Sequence, residues 1–178
     1  MARGNSSYFH YIHFIAKRQR GFTLLELVIA VSVMSILIAM AAPSFSQLIE
    51  TNKIKRLATE IEWLLVQAKS EAVMRGENVE VTISGASTTN WVLISKTASS
   101  AKVLGEVRSD NFSNTELQIS FSAETLVFNK RNGKTNILGS YYFTNLAGDK
   151  ISIFPNRMTG RIYTCSVSKA IYTYAKCG

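Results

Sequence analysis

Histidine is nearly absent from this 178-residue chain: His10 and His13 are the only two. Any form of the chain that begins after residue 21 therefore has no imidazole, which removes the commonest general base and the commonest metal ligand. Cysteine is equally scarce. Cys165 and Cys177 are the only pair, so there is no Cys-x-x-Cys for zinc or dithiol chemistry. No internal repeat and no low-complexity linker divides the chain. The stretch "NKRNGKT" ends like a phosphate-binding loop, but Phe128 stands where its first glycine belongs, and Asn132-Gly133 reads better as a turn between strands. These absences argue against an enzyme and predict no metal and no cofactor.

Acidic side chains are missing from the first 25 positions, where Arg3, Lys17, Arg18 and Arg20 fall. An apolar run then covers residues 22–42 with one ionisable group, Glu26. As a helix rising ~1.5 Å per residue the run is roughly 31 Å long, enough to span a bilayer's hydrocarbon core. The basic flank predicts that the N-terminal end stays cytoplasmic and that the remainder lies across the membrane. Two plainer readings of the run stand beside this one. A secretory signal would be cut after "AMA" at residues 39–41, leaving a soluble chain starting at Ala42, although Glu26 would then interrupt an overlong apolar region. A simple signal anchor would leave Glu26 without a purpose, which is unusual for a carboxylate at membrane depth. Ala30, Ser32, Ser35 and Ala39 are either helix filler or the small residues that let helices approach closely.

In an exported chain the two cysteines are expected to form a disulfide, with free thiols as the alternative. Closing so short a loop is worth roughly 3 kcal/mol in the chain-entropy picture. Charge is unevenly spread. The net +8 is carried by the first 21 residues and by residues 130–178, where eight Lys and Arg face Asp149 alone. The C-terminal end is thus suited to a polyanionic partner or surface.

Beyond Pro43, Leu57, Ile61, Leu64, Leu65, Ala68 and Ala72 recur at steps of three and four, with Lys55, Arg56, Glu60, Glu62 and Lys69 on other faces. This spacing predicts an amphipathic helix over 44–76, stopped by Gly76. Pro43 should either kink one long helix or begin a new one. The rest of the chain is a series of short, β-branched and aromatic runs separated by Gly, Asn, Ser and Asp: "NVEVTIS", "NWVLIS", "KVLGEVR", "LQISFS", "TLVFN", "SYYFTN", "KISIF", "GRIYTC" and "IYTYA". The predicted class is α+β: a long N-terminal helix, half transmembrane and half amphipathic, packed on a small antiparallel β head of two sheets. The expected segments are 1–21, 22–43, 44–76 and 77–178.

"RGFTLLEL" at residues 20–27 resembles the processing site of type IV prepilins and type II secretion pseudopilins. The resemblance implies that 1–21 is a leader removed by prepilin peptidase after Gly21, that Phe22 becomes the methylated N-terminus, and that Glu26 guides assembly by pairing with the terminal amine of a neighbouring subunit. It also implies other major and minor pilins or pseudopilins as partners, and a head in the periplasm that joins a pilus or pseudopilus. The leader is long for the family and carries the aromatic block "SYFHYIHF", which suits the inner membrane face; a start assigned too far upstream is the other reading.

The helix segment ending in Ser70, Glu71, Ala72, Arg75 and Gly76, with "ISIFPNRMTGRIYTC" near the end, is similar to the group that includes the pseudopilin GspH and the minor pilins FimT and FimU. Some FimT-type members bind DNA through a C-terminal Gly-Arg-x-Arg during DNA uptake. Here the sequence reads Gly160, Arg161, Ile162, Tyr163, so the second arginine is missing. Lys130, Arg131, Lys134, Arg157, Arg161, Lys169 and Lys176, interleaved with Tyr163, Tyr172 and Tyr174, form a candidate DNA-binding set; a solvated basic surface is the alternative.

Overall fold

The computed structural model describes residues 21–144, 148–167 and 174–177. The chain divides into two compact units on either side of the Ala42–Pro43 bond. A single helix, α1 (Leu24–Arg75), takes in the end of the first unit and the start of the second. Pro43 therefore lies inside a helix and does not begin a new one.

In the first unit α1 starts on a side-chain cap. Thr23 Oγ1 accepts the Glu26 backbone N–H at 3.2 Å, and the Thr23 carbonyl accepts the Leu27 N–H at 3.1 Å. The apolar residues along this stretch are exposed within the single chain, from Leu24 to Met40. Ser32 and Ser35 donate their hydroxyls to the Val28 and Val31 carbonyls at 2.7 and 2.8 Å, so neither needs a partner outside the helix. Among the described residues no helix is long and apolar enough to cross a membrane. The side chains described in the run cover residues 22–40, of which 24–40 are helical, roughly 26 Å of helix against a core of about 30 Å; the side chains of residues 41 and 42 lie outside those described.

In the second unit, Ile54, Leu57, Ala58, Ile61, Leu64, Leu65, Ala68 and Ala72 form the buried stripe of α1. Val73, next to the last buried residue of the stripe, is about half exposed. The helix stops where an L-residue would be strained: Gly76 has φ +64°, the Glu77 N–H reaches back to the Ala72 carbonyl at 3.2 Å and the Gly76 N–H to Val73 at 3.3 Å.

Among the described residues eight strands come after the helix: β1 (Val79–Ser84), β2 (Val92–Thr97), β3 (Val103–Arg108), β4 (Glu116–Ile119), β5 (Thr125–Phe128), β6 (Tyr141–Thr144), β7 (Lys150–Pro155) and β8 (Ile162–Ser166). They pair antiparallel in two four-stranded sheets, ordered β3-β2-β1-β5 and β4-β6-β7-β8. Each of the first eight runs named from sequence overlaps one of these strands. Most of the ninth, "IYTYA", lies outside the described residues. Its end returns beside β8, where Ser166 and Lys176 form a parallel bridge.

Alternation decides the faces. Val79, Val81 and Ile83 of β1 turn inward with Leu93 from β2, while Tyr141 and Phe143 of β6 and Ile151 and Ile153 of β7 close the core from the second sheet. The α1 stripe lies in the same cluster. Polar ties fix the helix to both sheets: Gln67 Nε2 donates to the Leu104 carbonyl at 3.2 Å, and Glu62 accepts the Thr164 hydroxyl at 2.9 Å.

Candidate functional site

Two regions carry the residues singled out from sequence. The first is the start of α1. Gly21 and Phe22 precede the helix, both exposed, with Phe22 at 79%. Their peptide bond is thus free of the helical ladder, as a backbone must be to enter a peptidase. Thr23 is the cap and Glu26 the third residue of the helix, the Thr-x-x-Glu spacing of a capping box. Sequence reasoning did not weigh the Thr23 cap, which takes the Glu26 backbone N–H, although the spacing was there to read. The helix N-terminus also favours a negative charge at that position. No described residue forms an ion pair with the Glu26 carboxylate.

The second region is a basic edge of the head, and its local build explains it. The chain turns after β5 at Asn129-Lys130-Arg131-Asn132-Gly133-Lys134 and between β7 and β8 at Asn156-Arg157-Met158-Thr159-Gly160-Arg161. The two turns are the same structure. In each, the asparagine Oδ1 accepts the backbone N–H two residues on, from Arg131 at 2.8 Å and from Met158 at 2.9 Å. In each, the glycine N–H closes on the asparagine carbonyl at 2.8 Å, and the asparagine N–H bonds the carbonyl five residues on, Lys134 at 2.9 Å or Arg161 at 2.8 Å. Both glycines adopt positive φ, +62° and +69°. Cations occupy matching places, Lys130 with Arg157 and Lys134 with Arg161. The turn expected at Asn132-Gly133 therefore forms, though the strand after it, β6, belongs to the other sheet.

Lys69 of α1 joins the two turns. Its Nζ donates to the Gly160 carbonyl at 2.7 Å, and its methylenes lie so close to Gly133 that a side chain there would stand 3.0 Å from Lys69 Cγ. Lys134 and Arg157 line one open cleft of about 370 Å³. On the β7–β8 hairpin that carries Arg157, the Phe154 and Tyr163 rings stack at 5.1 Å between centroids.

So Lys130, Arg131, Lys134, Arg157 and Arg161 are gathered at one edge. Lys176 is not: it pairs with Ser166 at the far end of β8, roughly 16 Å along a five-residue strand. Lys169 and Tyr172 lie outside the described residues. Cys165 and Cys177 are bonded, with Cα atoms 5.1 Å apart. Among the described residues no cluster of His, Cys, Asp and Glu is arranged to hold a metal ion. Sequence reasoning also passed over Trp63, 70% exposed on α1 beside Thr59, Glu62 and Val66.

Comparison with known proteins adds an independent line. Residues 16–42 match the family model for the prokaryotic N-terminal methylation motif, and residues 57–163 match that for type II transport protein GspH. Two curated fimbrial proteins of Pseudomonas aeruginosa are each 35% identical over 63 residues, 35% of this chain and 40% of theirs. The match thus spans well under half the length of these relatives. Among solved structures, the type IV minor pilin FimU of Pseudomonas aeruginosa PAO1 superposes with a TM-score of 0.50 at 17% identity, over 64% of this chain and 97% of that one; at that identity the likeness is one of fold.

Proposed function

The chain belongs to the type II transport protein GspH family, with an N-terminal methylation motif ahead of the family region, and from that premise we propose that it is a prepilin-type subunit that assembles into a type IV pilus or a secretion pseudopilus. Prepilin peptidase cuts between Gly21 and Phe22, and the mature chain is held in the inner membrane by the apolar run with its head in the periplasm.

The observation that carries this reading is Glu26, a carboxylate with no described ion-pair partner in an exposed apolar helix, one turn from the amine that cleavage would create. A charge at membrane depth costs about 2.5–3.5 kcal/mol at the helix centre and less toward the interface, so a neighbour's amine is an incentive to associate. Exposed Trp63 and Val66 on α1 give neighbouring subunits an apolar face beyond the membrane.

Mass spectrometry of the purified mature chain is the test: N-methylated Phe22 is expected, and a chain that begins at Ala42 would refute processing by prepilin peptidase. Glu26→Ala is expected to leave processing intact and to abolish incorporation into fibres. Normal incorporation of that variant would remove the assembly role of Glu26.

A second reading rests on the twin basic turns: the edge they form supports non-specific binding of DNA through phosphate neutralisation, with Tyr163 as a stacking surface. Titration of the full chain, in nonionic detergent, with short DNA at low salt tests it. Affinity should fall with added salt and with Arg161→Ala. No binding at micromolar protein would refute this reading and leave the subunit reading standing.

A further inference from the structure

The cleft lined by the first basic turn, with Arg157 from the second, has a chemical polarity that charge counting does not show. Asparagines 78, 129, 132 and 136 line it with Lys134 and Arg157. Every one of the four amides has its oxygen occupied by a backbone N–H. Asn78 Oδ1 accepts from Lys130 at 3.0 Å, Asn129 from Arg131 at 2.8 Å, Asn132 from Lys134 at 3.0 Å and Asn136 from Val127 at 2.8 Å. A backbone N–H can only donate, so the amide atom facing it must be oxygen, and the orientation of each side chain is fixed by chemistry. What each amide has left is its NH₂ group, a donor of two hydrogen bonds, and the second lone pair of its oxygen.

Lysine and arginine are donors only. Thr135, also lining the cleft, gives its proton to the Ile137 carbonyl at 3.2 Å, so its oxygen is left as an acceptor beside the second lone pairs of the asparagine oxygens, and the donors of the lining outnumber these acceptors. No carboxylate lines the cleft. The two on the adjoining β1 segment are engaged elsewhere, Glu77 by the Ser99 N–H at 2.6 Å and Glu80 by Lys96 at 3.7 Å. Such a cavity, within the roughly 300–1,000 Å³ common for ligand sites, is complementary to a group made of oxygen acceptors carrying negative charge.

We propose that this cleft seats a phosphodiester group of a nucleic acid strand, with the asparagine NH₂ groups orienting its oxygens and Lys134 and Arg157 neutralising it. The proposal rests on the DNA reading above. A polymer is the fitting source, because Lys130, Arg131 and Arg161 extend the positive edge past the cleft, where a single small anion would leave them unused. The stacked Phe154–Tyr163 pair, on the hairpin that supplies Arg157, gives an adjoining base a flat surface.

Asn132→Asp tests it without dismantling the turn, since Asp Oδ1 still accepts the Lys134 N–H while the two donors become an anion. Asn156→Asp is the matched control. Its side chain caps the sister turn in the same way, accepting from Met158 and Thr159 at 2.9 Å, and it adds the same charge outside the cleft lining. With the full chain in nonionic detergent and a labelled oligothymidylate, Asn132→Asp should raise Kd at least about tenfold, the scale of losing a charge-assisted hydrogen bond. Asn156→Asp should raise it less than about threefold. Equal losses, at unchanged melting temperature, would overturn the cleft and leave general DNA binding intact. A second arm tracks the asparagine side-chain NH₂ resonances on addition of inorganic pyrophosphate and, separately, of an acidic polysaccharide. Shifts with pyrophosphate support the donor cleft even if no oligonucleotide binds, in which case the DNA reading alone has failed. Shifts with the polysaccharide alone, or with neither, overturn the phosphate assignment.

Discussion

Reducing the Cys165–Cys177 bond changes no residue and so isolates what the crosslink contributes. The bond closes a loop over a sequence separation of 12, for which the chain-entropy model gives about 3 kcal/mol at 25 °C. That figure applies to the whole head only if the tail unfolds together with it. Two features tie them: Cys165 is buried in β8, and the returning tail bonds to Ser166 through the Ala175 carbonyl and the Cys177 N–H, both at 2.9 Å. Unit Pro43–Gly178 has 136 residues, and an unfolding entropy near 2.1 cal/mol/K per residue makes 3 kcal/mol a fall of about 10 °C in melting temperature. Paired thermal scans of the oxidised and fully reduced full chain, monitored by buried-tryptophan fluorescence, measure it. A fall under about 3 °C would refute the reasoning, because it would mean that the tail frays first and the bond constrains only the tail.

Trp91 is fully buried, with its indole N–H on the Thr115 carbonyl at 2.9 Å, so Trp91→Phe leaves an orphaned carbonyl and a void and should cost about 2–4 kcal/mol in urea unfolding. The remaining tryptophan, Trp63, is exposed, so that variant should also lose the blue-shifted emission. Burial pushes the Tyr141 phenol well above its ordinary value of 10.0. Below about pH 10 both folded and unfolded chains keep this proton; above it the unfolded chain releases the proton first. Stability should therefore fall as pH rises past that point, by about 1.4 kcal/mol per pH unit from this group. The difference in urea midpoint between wild type and Tyr141→Phe, taken at about pH 9 and about pH 11, reads that contribution.

Much of the fold is local enough to be read from the chain. The three-and-four spacing from Leu57 to Ala72 and the stop at Gly76 need only one turn of helix to express themselves, and each strand run needs only its own alternation. Sheet membership does not work that way. β5 joins β1 across three intervening strands while β4 goes to the other sheet, a choice made by packing over distances that periodicity does not report. The same holds for the basic edge. Its two turns share the pattern Asn, cation, two residues, Gly, cation, yet only the fold, with Lys69 between them, makes them neighbours. At Glu26 the failure was different: the spacing to Thr23 was visible, and a more conspicuous role obscured it.

The inward-bonded hydroxyls of Ser32 and Ser35 bear on the energetics of extraction. A cylinder with no unanswered donors looks the same to acyl chains as to the flanks of sister helices, because neither environment must supply or surrender a hydrogen bond. Under the assembly reading, exchanging lipid for protein along that stretch is close to thermoneutral in polar terms, and Glu26 alone gives the exchange a direction.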